Sequence, residues 1–553
     1  MSLLHFLLHL PKIMRKTDPN RRDFLKASAA GLAVFTLFRN AKGEVMFNSD
    51  AEPFPELIEI TIPELQAKMK SGELTARRLT EMYLKRIEQI DQKTRSVLEV
   101  NPEALSIADA LDKERKKGKV RSQLHGIPVL IKDNIDTADK MHTTAGSLAL
   151  LDAPVPKQDA FVAQQLRTAG AVIIGKTNLS EWANFRSTRS ISGWSGRGLQ
   201  TNNPYFLDQN PCGSSSGSGV AVSANLCAAA VGTETNGSII CPAVTNGVVG
   251  IKPTVGLVSR SGIIPISHSQ DTAGPMTRSV TDAAIMLTAM AGKDKSDIAT
   301  AETDKHAAKD YTKFLDPQGL KGARLGLVTF PPQRNTDAWK AYFEPFFETL
   351  RQAGATLVEI KFPDFGQNAG ADRLAVLQFE FKADLNKYLA SRGGTYTTLE
   401  QLIKFNEEHK EKELPKFGQE IFVNSQARGD LTDKTYLDAL ARIRKQTREE
   451  GIDALLAANK LDAFVGPTSG AAWSIAAVAG YPSITVPLGL RDVPAAAASG
   501  NLPAAPASIQ TPGMFFFGTA WSEPQLIKYA YAFEQKTKGR VTPQFLPTFP
   551  TKA

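Results

Sequence analysis

Ile127-Pro-Val-Leu-Ile-Lys132-Asp133 is a short apolar run closed by a lysine and an aspartate. Its core, Val129 to Lys132, reads as a strand covered on both faces, because a brief continuous apolar run bounded by polar turns fits a buried strand. Similar runs lie at Ala171 to Ile174 and Val248 to Lys252. Helical spacing occupies the region around Asp159 to Ala169 and Val280 to Ala291. Strands alternating with helices predict an α/β fold, a sheet with helices on both faces.

Working outward, Thr61-Ile-Pro-Glu64 has the form of a helix N-cap with proline at the first helical position. Leu65 to Asp91 is expected to be one helix and Glu103 to Lys117 a second. From about Lys293 to Asp462 the chain is charged and helix-rich, with strands expected at Ala323 to Val328 and Ala355 to Ile360. We read that part as a helical cap inserted in the second half, on the substrate side. Core texture returns at Ala463-Phe-Val-Gly-Pro467, Ser483-Ile-Thr-Val-Pro487 and a terminal helix, Glu523 to Gln535. Val493 to Thr511, rich in proline and alanine, reads as a surface loop.

The chain has 553 residues, 42% hydrophobic and 22% charged, the profile of a soluble globular protein large enough to bury a lysine. Its net charge of +8 is concentrated in residues 1–43, which carry +6. The remaining 510 residues are nearly balanced, which argues against a nucleic-acid partner. Asn20-Arg-Arg-Asp-Phe-Leu-Lys26, followed by the weakly apolar Ala27 to Phe38, resembles a twin-arginine export signal. Twelve residues are too few to span a bilayer, so stable membrane insertion is not expected. Residues 1–43 are therefore read as an export signal cut near Ala41 to Phe47, 44–56 as a linker, and the mature protein as periplasmic. Three cysteines, Cys212, Cys227 and Cys241, are too few and odd in number for a disulfide framework; Cys212 and Cys241 flank the two serines and can approach one another in the fold, but packing is the expected role of each. The seven histidines are scattered without metal-ligand spacing, and no cofactor is expected.

The chemistry-bearing stretches are Lys132 and two serine-glycine knots, Cys212-Gly-Ser-Ser-Ser-Gly-Ser218 and Thr235-Asn-Gly-Ser-Ile239. Between the knots, Val220 to Val231 reads as an apolar helix and a short strand, which can fold both serines back onto one site. A lysine at a buried sheet edge loses its preference for the charged form, its pKa falling from about 10.4 to about 7–8, and becomes a general base. A glycine-serine loop opening a helix presents amides and hydroxyls to an oxyanion. Two other readings meet obstacles. Gly170-Ala-Val-Ile-Ile-Gly-Lys-Thr177 has the letters of a phosphate-binding loop, yet its interior is itself a strand. Gly213-Ser-Ser-Ser-Gly217 fits the nucleophile elbow of an α/β-hydrolase esterase centred on Ser215, with Asp271 and His306 or His409 as partners, but neither histidine has a recognisable context.

From about residue 57 onward the chain resembles the amidase-signature family. The resemblance rests on Gly126-Ile-Pro-Val-Leu-Ile-Lys-Asp133, Gly175-Lys-Thr-Asn-Leu-Ser-Glu181, Cys212 to Ser218, Gly232-Thr-Glu-Thr-Asn-Gly-Ser238 and Gly250-Ile-Lys-Pro-Thr-Val-Gly256, in family order. Ser192-Gly-Trp-Ser-Gly-Arg197 and Asn210-Pro-Cys-Gly213 are most similar to peptide amidase. The resemblance implies a mixed β-sheet core and one amidase domain over 57–553. It implies a Ser-cisSer-Lys triad in which Ser238 is the nucleophile, Ser214 relays the proton across a cis peptide bond and Lys132 is the base. Backbone N–H groups of Thr235, Asn236, Gly237 and Ser238 would form the oxyanion hole. The implied reaction is hydrolysis of a carboxamide C–N bond through an acyl-enzyme, on the C-terminal amide of a peptide. The alternatives are small aliphatic or aryl amides, an esterase, or an amidase-fold subunit without its own catalysis. Two positions depart from the family's commonest form: Asn236, where glycine is usual, and Glu234, where a shorter acid is frequent. Asparagine tolerates left-handed backbone, so the oxyanion turn is expected to survive at Asn236.

Overall fold

The computed structural model describes residues 52–330, 336–364, 368–495 and 508–548, together with the backbone of a short antiparallel pair, Leu37–Arg39 with Val45–Phe47. Two compact units are distinguished, Met1–Pro53 and Phe54–Ala553. The twin-arginine segment lies outside the described residues. Among those that are described, no helix is long and apolar enough to cross a membrane.

Eleven strands build one mixed sheet in the second unit. Its first half supplies β1 (Val97–Val100), β2 (Pro128–Lys132), β3 (Val172–Thr177), β4 (Ala229–Glu234), β5 (Val249–Lys252) and β6 (Thr272–Thr277). The second half supplies β7 (Arg324–Leu327), β8 (Thr356–Glu359), β9 (Ala463–Pro467), β10 (Ser483–Pro487) and β11 (Gly513–Phe517). The order across the sheet is β8-β7-β9-β11-β10-β5-β6-β4-β2-β3-β1, with helices around it. β2 runs parallel to both its neighbours, β3 and β4, and every residue of these three strands is buried. That is why the apolar run Ile127 to Ile131 shows no alternation: both faces are covered. β6 runs antiparallel to β4 and β5.

Several expected elements fall close to place, and β9 and β10 match residue for residue. The expected helix over Leu65 to Asp91 is instead two, Ile62–Ser71 and Ala76–Thr94. Gly72 ends the first with φ +81°, a left-handed cap, and Thr75 caps the second. Thr61 makes the full capping box with Glu64, and Pro63 sits one residue further in than expected. β6 and β11 were not foreseen as strands. β6 contains Gly274 and Pro275, which weaken any strand signal. β11 lies in the centre of the sheet between β9 and β10. The expected surface loop after Val493 begins and ends as an antiparallel pair, Arg491–Val493 with Ser508–Gln510.

Candidate active site

Lys132 is the last residue of β2, and its side chain is fully buried. All three ammonium protons have acceptors: Ser214 Oγ at 2.8 Å, Thr233 Oγ1 at 2.8 Å and the Thr233 carbonyl at 3.3 Å. Register explains the Thr233 contacts. Ile131 lies opposite Val231 on β4, so Lys132 emerges one residue short of Thr233 on the neighbouring strand. Burial lowers the Lys132 pKa to about 7, and Asp271 and Glu234 oppose that fall only in part. Near neutral pH the amine is therefore available as a base.

The serine run sorts itself by hydrogen bonding. Ser215 Oγ donates to the Thr233 carbonyl (3.0 Å), and Ser216 Oγ to the Cys212 carbonyl (2.6 Å). Ser218 Oγ donates to the Val231 carbonyl (3.0 Å) and lies 2.7 Å from Thr177 Oγ1. Only Ser214 meets Lys132. The Gly213–Ser214 peptide is cis. Ser216–Ser223 forms the helix behind the loop, and Gly217 lets it approach: a Cβ there would stand 2.3 Å from the Ser96 carbonyl oxygen.

The second knot follows β4. The Ser215 N–H donates to the Ser238 carbonyl (3.0 Å), which holds the turn against the residue after Ser214. Ser238 is almost fully buried. Among the described residues no acceptor meets the backbone N–H groups of Asn236, Gly237 and Ser238, which leaves three donors in the turn. The left-handed residue of this turn is Gly237 (φ +80°), not Asn236 as expected. A Cβ at Gly237 would stand 2.4 Å from Trp473 Nε1, so the position requires glycine. Asn236 Nδ2 donates to Ser474 Oγ (3.1 Å) instead. Glu234 Oε2 accepts from the N–H groups of Ile239 (2.8 Å) and Ile240 (3.0 Å), anchoring the start of the helix Ile240–Thr245. The carboxylate position that looked like a departure is thus an anchor of the turn.

Packing as the role of Cys212 and Cys241 is corrected: the two form a disulfide, which ties the Ser214 loop to the helix after Ser238. The approach of the two cysteines was readable from their places beside the serines; that they pair depends on the fold of the intervening helix and β4. Cys227 is a buried free thiol.

Neither competing motif assembles. Lys176 belongs to β3 and is bonded to the Ile135 carbonyl (2.6 Å) and Thr143 Oγ1 (2.9 Å), so its loop offers nothing to a phosphate. Asp271 binds Thr235 rather than a histidine, His306 stacks on Trp521, and His409 bonds the Phe405 carbonyl.

The cap grips the core through a buried arginine that the sequence did not reveal. Arg186 bonds Glu181 Oε1 and the Glu413 carbonyl, and its guanidinium lies 4.3 Å from the centre of the Phe417 ring. Trp194, in the stretch similar to peptide amidase, packs edge-on against Phe417. Burial, followed by the nearby Glu413 charge, pushes the Glu181 carboxyl well above the usual range.

Residues 78–527 match the family model described as Amidase. The chain belongs to the amidase-signature family. The solved structure of native peptide amidase from Stenotrophomonas maltophilia superposes on this amidase with a TM-score of 0.82 at 49% identity, covering 89% of this chain and all of that one. A probable amidase of Arabidopsis thaliana is 42% identical over 88% of this chain and 92% of its own length. A glutamyl-tRNA(Gln) amidotransferase subunit of Thermoanaerobacter pseudethanolicus is 32% identical, over 88% and 99%. The amidase is accordingly a hydrolase acting on amides.

Proposed function

We propose that this amidase removes the C-terminal amide of peptides through Ser238, Ser214 and Lys132. The observation that carries the reading is the 2.8 Å contact between Lys132 Nζ and Ser214 Oγ, buried and beside a turn with unoccupied backbone donors. With the amine neutral, its lone pair accepts the Ser214 proton while Ser214 accepts that of Ser238. Ser238 Oγ then bonds the carboxamide carbon. Negative charge develops on the carbonyl oxygen, facing the N–H groups of the turn from Thr235 to Ser238; one such donor is typically worth about 3–4 kcal/mol. Collapse breaks the C–N bond, and Ser214 returns a proton to the departing ammonia. Water enters by the same proton route and releases the acid. The likeness to peptide amidase, 49% identical over the whole of that chain, supports a peptide substrate.

Export to the periplasm belongs to the same reading. The disulfide between Cys212 and Cys241 supports it, because such bonds persist in oxidising compartments and are rare in the cytosol.

The test is ammonia release from amidated dipeptides, a plain aliphatic amide and an aryl ester, using the chain from residue 44. Release from the amidated peptides with their internal bonds intact is the expected result, together with loss of turnover in Lys132→Ala and none in His409→Ala. Turnover of the ester alone, or full activity in Lys132→Ala, would overturn the reading.

A further inference from the structure

The antiparallel register of β4 and β6 places Glu234 opposite Thr272. Continued by one residue, it sets Thr235, the first residue of the oxyanion turn, opposite Asp271. The two side chains meet there: Thr235 Oγ1 donates to Asp271 Oδ1 at 2.5 Å. The other carboxylate oxygen accepts the backbone N–H groups of Ile266 and Ser267, both at 2.8 Å. These three donors satisfy the carboxylate and connect the turn to the loop before β6. That loop in turn touches the cap, since Ser267 Oγ donates to Glu380 Oε2 and His268 Nδ1 lies 2.8 Å from Asp384 Oδ2. Asp271 and Thr235 also line a 250 Å³ cavity between the core and the cap helix Ala369–Arg392, which reaches Thr233, the partner of Lys132, and Asn134, whose Nδ2 donates to Thr233 Oγ1.

We infer that Asp271 is a positioning residue of the reaction, fixing the oxyanion turn through the Thr235 hydroxyl and supplying the negative charge that Lys132 senses from across β4. The inference rests on the Lys132 mechanism proposed above. Asp271 is the first opposing charge to act on Lys132, ahead of Glu234. Its own environment is mixed: Arg260 and Lys387 are the cations at the cavity, and Asp297, Asp384 and His268 its remaining titratable neighbours, with Glu380 and Tyr388 behind. Burial pushes Asp271 up to about 6, against the pull of its hydrogen bonds and of Arg260. It is therefore mostly ionised at the midpoint of the Lys132 titration and takes up its own proton at the acidic end of that range.

The sign of the effect follows. Removing a negative charge near an ammonium lowers its pKa, so neutral Lys132 persists to lower pH. In Asp271→Asn the acidic limb of kcat/KM moves down by about one pH unit, and kcat at the plateau falls by about 10- to 100-fold as the turn loses its anchor. Thr235→Val removes the hydroxyl and keeps the charge: kcat falls while the limb stays in place, and Thr235→Ser restores kcat. Both profiles are read against wild type with one amidated dipeptide. An unmoved limb in Asp271→Asn overturns the inference. If that variant gives no measurable turnover, Thr235→Val decides: undiminished kcat overturns it, and loss rescued by serine upholds it. Should Lys132→Ala remain active, the underlying mechanism fails rather than the role of Asp271 within it.

Discussion

Lys132 ends β2 and Lys176 is the last residue but one of the adjacent parallel β3, both fully buried, yet they sit in opposite electrostatic worlds. Lys132 pairs across the sheet with Thr177, so the side chain of Lys176 leaves from the other face. On that face it bonds a carbonyl and a threonine, and Asp133, Asp136 and Asp139 offset the burial that lowers its pKa. On the face of the candidate site Lys132 meets hydroxyls and a carbonyl, and burial carries it to about 7. Burial alone does not make a lysine a base. What distinguishes the two is how much carboxylate stands near enough to oppose the effect of burial.

Replacing each lysine by methionine breaks the comparison most sharply. Lys132→Met should lower kcat by at least about 10⁴-fold, whereas Lys176→Met should leave kcat per folded molecule within about threefold. Stability should invert that order. Lys176→Met removes the donor from the Ile135 carbonyl and Thr143 Oγ1 and one of the cations near buried Asp133 and Asp136, which keep Arg197 and Arg392, and should cost about 2–4 kcal/mol in denaturant unfolding; Lys132→Met should be neutral or stabilising. Turnover as a function of pH sharpens the contrast further. In wild type, kcat/KM should fall about tenfold per unit below pH 7, as Lys132 protonates, and Lys176→Met should keep that limb. A linked effect follows for folding. The Lys132 pKa is lower folded than unfolded, so the unfolded chain holds the extra proton between about pH 7 and 10. Lys132 therefore costs the wild type more stability as pH falls through that window, a slope absent in Lys132→Met. The smallest effect should come from Lys252, which burial lowers to about 8 against the opposing charges of Glu234 and Glu523, and which among the described residues bonds only the Pro253 carbonyl. Lys252→Met should cost about 1–2 kcal/mol, and a loss matching that of Lys176→Met would mean carboxylate proximity is not the deciding term.

The site was more legible in the sequence than its supports. Lys132, Ser214 and Ser238 stand in short motifs whose residue types carry their own chemistry, and the strand that delivers Lys132 is an unbroken apolar run. Their supports depend on long-range register instead. Asp271 drew notice only as a possible partner for a histidine; its bond to Thr235 exists because β6 lies antiparallel to β4. The disulfide needed the fold that returns residue 241 to residue 212. Glu413 lies 232 positions from Glu181, and nothing local in either segment announces that both face Arg186. Among the strands, β9 and β10 were readable as apolar runs, while the glycine and proline inside β6 concealed it.

β8 and β9 are parallel and flank β7, so everything from residue 360 to residue 462 is topologically a single crossover connection. A sheet constrains where such a connection leaves and re-enters, but not how long it is. The proposed catalytic residues lie between 132 and 238, upstream of that excursion. Lengthening, shortening or exchanging the crossover would therefore reshape the cap side of the cavity that Asp384, Lys387 and Tyr388 line, without redrawing the strands that hold Lys132, which makes this segment a natural place for an engineer to graft.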